Sequence, residues 1–133
     1  MIQMDQVFLA KAQESLAGAE SEFANGRHNN CANRCYYACF QAAICALSRA
    51  GIRPLRQGAE WGHAFVQAQF AGELISRRKL YASGLREVLS RTMILRKVAD
   101  YEPNGVGQTQ VSRALRSTRE LLSAIESTGE ASR

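Results

Sequence analysis

The sequence predicts an all-α fold: an up-and-down bundle of four long helices plus one short helix. Apolar residues recur at three- and four-residue intervals over stretches long enough for several helical turns. No segment alternates with period two over a useful length, so strands are not expected. Helix stops fall at Asn25-Gly26, Gly51-Ile52-Arg53-Pro54 and Pro103-Asn104-Gly105, which divide the chain into helix-sized pieces.

The first helix is predicted from about Asp5 to Ala24, with Phe8, Ala12, Leu16, Ala19 and Phe23 as its buried stripe. Asn29 or Asn30 is a suitable N-cap for the second, about Cys31 to Arg49. That helix is apolar on more than one side, from Cys31, Ala32, Cys35 and Tyr36 to Cys45 and Ala46. Such a helix is either central in its bundle or shared with another subunit. A loop over Leu55 to Glu60 leads to a short helix from Trp61 or Gly62 to Ile75, with Trp61, Phe65, Ala68 and Ile75 inward. A fourth helix starts between Leu80 and Ser83 and runs to Tyr101. Its inner face is Leu85, Val88, Leu89, Thr92, Leu95, Arg96 and Ala99. The last spans about Thr109 to Ser127 on Val111, Leu115, Thr118, Leu122 and Ile125, and the tail after Gly129 is expected to fray.

At 133 residues the chain is read as one domain, residues 1–133 with a core over about 5–127. The hydrophobic content of 46% suits a globular domain rather than a disordered one. No apolar run approaches the roughly 20 residues that a membrane span needs. The N-terminus has neither a basic region nor a continuous apolar stretch, so no signal peptide is expected and the cytoplasm is the expected location. Cys31, Cys35, Cys39 and Cys45 sit on one predicted helix, without CxxC spacing or a histidine pair, and read as small buried hydrophobes. No metal or cofactor motif is visible. The net charge of +5 favours a polyanionic partner only weakly. Arg77-Arg78-Lys79 and the series Arg113, Arg116, Arg119 read first as solvated helix faces, with nucleic-acid contact as the alternative.

Two segments stand apart. Asn33-Arg34-Cys35-Tyr36-Tyr37-Ala38-Cys39-Phe40 and Arg96-Lys97-Val98-Ala99-Asp100-Tyr101 each set an arginine and tyrosine beside core positions. A guanidinium there is costly without a partner, which points to a site. Arg96 is either a snorkelling cation at a helix C-terminus, paired with Asp100, or a phosphate-binding group. Arg34 either borders the core or lines a groove. Tyr36 and Tyr37 point about 100° apart, so one is expected in the core and the other at a site. His63, at a helix start, is a capping or surface residue by default.

The run from Cys31 to Ala43 resembles the second-helix signature of the HEPN superfamily (higher eukaryotes and prokaryotes nucleotide-binding domains), in its UPF0332 branch. Gly62-His63 before Phe65 and Phe70 is similar to that branch's histidine ahead of a short third helix. Arg96-Lys97-Val98-Ala99-Asp100-Tyr101 resembles its closing motif. The resemblance covers about residues 5 to 127. It implies a helical bundle that forms a homodimer and binds RNA or a nucleotide. It also implies a toxin-like endoribonuclease that needs no metal or other cofactor, controlled by a minimal nucleotidyltransferase antitoxin. Arg34, Tyr37, Arg96, Asp100 and Tyr101 would then bind the ligand.

The sequence departs from that pattern at one place. Catalytic members carry a histidine after four to six intervening residues beyond the arginine, and here those positions are Tyr101, Glu102 and Pro103. The candidate catalytic residues are therefore Arg96, Tyr101 and His63. A phenol, with an ordinary pKa of about 10, is a poor base at neutral pH. The other reading is a non-catalytic nucleotide-binding or protein-interaction module.

Overall fold

The computed structural model describes residues 3–54, 56 and 60–131, and among them the chain is all-α. Helix α1 spans Met4–Ala24, α2 His28–Arg49, α3 His63–Gln69, α4 Val88–Tyr101 and α5 Gln108–Ala131. A π-helical segment, Phe70–Arg77, continues α3 without a break, and a 3-10 turn, Ser83–Leu85, precedes α4. The predicted Leu55–Glu60 loop lies mostly outside the described residues.

Helix α2 is the axle of the bundle. Cys31, Ala32, Cys35, Tyr36, Ala38, Cys39, Ala42, Ala43 and Cys45 are all at most 1% exposed within the single chain. Its broad apolar surface is thus covered by the chain's own helices, and the choice left open by the sequence falls to the central position. The small residues make this possible. Ala12, Ser15 and Ala19 are the buried residues of α1, where its backbone can approach the alanines and cysteines of α2. Phe8, Leu16 and Phe23 pack only partly buried around them.

All four cysteines are free and buried, as expected of small hydrophobes. Burial pushes the Cys39 thiol up to about 11, and Cys39 Sγ donates to Thr118 Oγ1 at 3.4 Å. Thr118 sits at the middle of the α5 stripe, where Val111, Leu115, Leu122 and Ile125 are buried as predicted.

Four local details differ from the sequence expectation. Helix α4 starts at Val88 and not between Leu80 and Ser83, where the 3-10 turn Ser83–Leu85 stands apart from it. Asn29 does not cap α2, which begins at His28; its Oδ1 instead accepts from the Val106 backbone N–H at 3.0 Å, tying α2 to the α4–α5 loop. Gly105 makes room for that bond, with φ +64° and a would-be Cβ only 2.6 Å from Asn29 Oδ1. In the third helix Ile75 is buried as expected, but Ala68 is exposed and Val66, Phe70 and Leu74 are buried instead. The π turn widens the helix there and shifts the phase of its inner face. Helix α5 runs past Gly129 to Ala131. A Cβ at Gly129 would lie 2.5 Å from the Arg49 guanidinium, whose Nη1 donates to the Ile125 carbonyl at 2.6 Å. That contact ties the end of α2 to the last turns of α5.

Candidate functional site

Three helices bring one cluster together. From α2 come Tyr36 and Tyr37, from the start of α3 His63, and from α4 Arg96 and Asp100. The Arg96 Cζ lies 5.5 Å from the Tyr36 ring centroid and 5.6 Å from that of Tyr37. Its Nη1 is 3.5 Å from the Tyr37 hydroxyl and 3.4 Å from Asp100 Oδ2. Both contacts are long, and the side chain is only 15% exposed. Its Nε is buried without a hydrogen-bond partner, and Nη2 meets only the Met93 sulfur at 3.5 Å. A neutral hydroxyl, one loosely held carboxylate and a thioether hold this guanidinium only weakly and leave its Nε–H without a partner. An oxygen-rich anion would satisfy it.

The Tyr36 hydroxyl lies 2.5 Å from His63 Nδ1. Burial pushes the Tyr36 phenol up to about 12. A phenol O–H is a strong donor and a neutral imidazole nitrogen a strong acceptor, so Tyr36 donates to Nδ1 and the neutral ring keeps its proton on Nε2. The His63 pKa is lowered, first by desolvation and then by the positive charges of Arg96 and Lys97. The ring also contacts Phe40, centroid to centroid at 4.7 Å.

Both tyrosines belong to the cluster, which corrects the expectation that only one would. Their rings meet edge to face at 5.3 Å. They project in different directions, but Arg96 is long enough to lie over both. Tyr36 is fully buried and Tyr37 half-buried, so Tyr36 forms the floor and Tyr37 the wall. Arg34 also lies over the Tyr37 ring, its Cζ 5.2 Å from the centroid, with Asn33 Oδ1 as its hydrogen-bond acceptor. Tyr101 is 76% exposed at the last residue of α4, directly after Asp100. The histidine of the cluster, His63, arrives from another helix and not from the positions that follow Arg96.

Phe40 and Met93 also build the cluster. The signal for each was present: Phe40 follows Tyr36 by four residues and Met93 precedes Arg96 by three, so each shares a helix face with a candidate residue. Of the basic runs, Arg77 and Arg78 both close on Glu73, a structural role. Arg119 pairs with Glu20 at 3.3 Å.

Among the described residues no helix is long and apolar enough to cross a membrane. No match to the chain was found among curated proteins. Residues 6–128 match the family model of the HEPN domain, nearly the whole chain, and this protein belongs to the HEPN domain family.

Proposed function

We propose that this protein binds the phosphate of RNA or of a nucleotide at the Arg96 cluster. One observation carries the reading: Arg96 is nearly buried, keeps a buried Nε without a partner, and lies over two tyrosine rings. A guanidinium serving only as an ion-pair partner would be held by its carboxylate more closely than 3.4 Å. In the bound state Arg96 donates to phosphate oxygens while Asp100 holds its other edge. His63 adds a donor through Nε2, and Tyr37 offers its half-buried ring to a base.

A second reading, metal-independent endoribonuclease activity, is favoured by the lowered His63 pKa, which keeps the ring neutral at pH 7. It requires the other tautomer, with Nδ1–H donating to the Tyr36 oxygen and Nε2 free. His63 Nε2 then takes the 2′-hydroxyl proton, the 2′-oxygen bonds to phosphorus, and the bond to the 5′-oxygen breaks. Water protonates the leaving oxygen, which yields a 2′,3′-cyclic phosphate. The tautomer assigned above favours binding over this chemistry.

The finer identity belongs to the same proposal: a UPF0332-like, toxin-type protein of the cytoplasm, controlled by a minimal nucleotidyltransferase antitoxin. Its homodimer must use a surface other than α2, which is covered. Helix α4 supplies one, with Ile94 63% exposed, Tyr101 76% exposed and Val98 half-buried between them. These residues share one face by their spacing of four and three. They lie on the helix that carries Arg96.

Purified protein incubated with labelled RNA in the presence of a chelator tests the reading. Retention of RNA by the wild type and its loss with Arg96→Ala support it. A cyclic-phosphate product lost with His63→Asn promotes the second reading. Retention unchanged by Arg96→Ala overturns both.

A further inference from the structure

Helices α4 and α5 do not close on each other along their whole length. On α4, Val88, Thr92 and Leu95 share one face by their spacing of four and three, and on α5 Arg113, Ser117 and Glu120 do the same. Between these faces lies a hollow of about 320 Å³. It exists because the seam is built from short residues: Thr92, Ala114, Ser117 and, in the 3-10 turn, Gly84, where a Cβ would meet nothing within 4 Å. The volume falls at the lower end of the range for small-molecule sites, about 300–1,000 Å³. None of the residues of the Arg96 cluster lines it.

The lining sorts by depth. Val88, Thr92 and Ala114 are buried and Leu95 half-buried, and Thr92 Oγ1 spends its proton on the Val88 carbonyl at 2.8 Å. The floor therefore offers apolar contact and no spare donor. The charged groups stand exposed at the rim. Arg91 is held by Glu87 at 2.6 Å. Among the described residues no ion pair or hydrogen bond engages Arg113. Gln110, one turn before it, accepts from the Gly107 N–H at 2.8 Å through Oε1, which leaves its amide N–H groups to donate. One end of the hollow thus presents an uncommitted cation beside a neutral donor. Glu120 lies two turns along α5 from Arg113, about 10 Å at 1.5 Å per residue, and its negative charge keeps an anionic group away from that end.

We propose that the α4–α5 hollow binds a small amphipathic carboxylic acid, with its carboxylate on Arg113 and Gln110 and its aromatic or alkyl body on Val88, Leu95 and Ala114. A monoanion matches the single free cation. A dianion such as phosphate is opposed by Glu87 and Glu120 and leaves the apolar floor uncovered.

The test is an NMR titration of the full chain, labelled at its Val, Leu and Ala methyl groups, with 3-phenylpropionate and octanoate. The methyls of Val88, Leu95 and Ala114 are expected to shift saturably with either acid. 3-Phenylpropionamide keeps the body without the charge, and inorganic phosphate keeps a charge without the body. Each should bind at least about tenfold more weakly, the scale of one lost charged hydrogen bond or one unburied apolar body. Arg113 is exposed, so Arg113→Gln keeps the fold, and it should weaken the acids about tenfold. Ser117→Leu fills the hollow with a good helix former and should abolish binding with no loss of thermal stability. The proposal is overturned if neither acid moves these methyls, if the amide or phosphate binds as tightly, or if both variants bind as the wild type does. Methyls that respond to protein concentration and to neither acid would assign the hollow to a second copy of the chain, and would overturn it too.

Discussion

The Tyr36 hydroxyl meets His63 Nδ1 at 2.5 Å, joining the fully buried middle of α2 to the first residue of α3. His63 is exposed in itself, but it does not float. One nitrogen is held by a group fixed in the core, and the ring rests on Phe40. A surface histidine is thereby oriented toward the side of the bundle that carries Arg96.

Tyr36→Phe keeps the buried ring and removes only this bond. A net loss of about 1 kcal/mol in unfolding free energy is expected, the usual value of one hydrogen bond. The His63 ring should also shift toward the tautomer protonated on Nδ1, read from its nitrogen chemical shifts. An unchanged tautomer would show that Tyr36 does not orient the ring.

Arg96→Ala should cost modest stability, at most about 2.5 kcal/mol. Its contact with Asp100 is an i,i+4 pair on a helix surface, and such pairs contribute about 0.3–0.5 kcal/mol. Two loose cation–ring contacts add about 0.5–1 kcal/mol each at most. Urea denaturation measures it. A loss of several kcal/mol with RNA binding intact would mark Arg96 as a structural residue.

Gly105→Ala should destabilise the bundle by about 1–2 kcal/mol, because φ is +64° and the new methyl would collide with the Asn29 amide. Asn29→Ala removes the amide, so the double variant should lose less than the sum of the two. Strict additivity would show that Gly105 and Asn29 do not meet.

The helical stripes of α4 and α5 were legible in the sequence because each faces one core and repeats at helical spacing. The third helix was misread at Ala68, because the π turn at Phe70–Arg77 changes the period and leaves no composition signal. Arg96, Asp100 and the tyrosine pair could be picked out as odd residues at core positions. What the sequence could not give was His63 as their neighbour: Tyr36 and His63 are separated by 27 residues and a turn between helices. The order of the chain places no histidine at the positions after Arg96, whereas the packing of α3 against α2 brings His63 beside Tyr36.

Partial burial and the nearby Arg96 and Lys97 charges hold the His63 pKa below its ordinary value near 6.5. Between that lowered value and 6.5 the unfolded chain binds more protons than the folded one. This contribution to stability is therefore complete above about pH 6.5 and is lost as pH falls through the window below it. A bound phosphate reverses the preference, since it favours the protonated ring. RNA binding should tighten as pH falls from 7 toward 6, and His63→Asn should flatten that dependence. Binding that is flat with pH in the wild type would contradict the coupling.

The most direct test of a single site built from Arg96 and His63 is an NMR titration of the His63 ring, free and saturated with a single-stranded oligoribonucleotide. The free protein should show the neutral ring protonated on Nε2 and a pKa below 6.5, and saturation should raise that pKa by about one unit or more, the scale of one nearby opposite charge. In Arg96→Ala the oligonucleotide should no longer move it. A His63 pKa that is indifferent to bound RNA in the wild type would contradict the account, since the phosphate would then lie elsewhere.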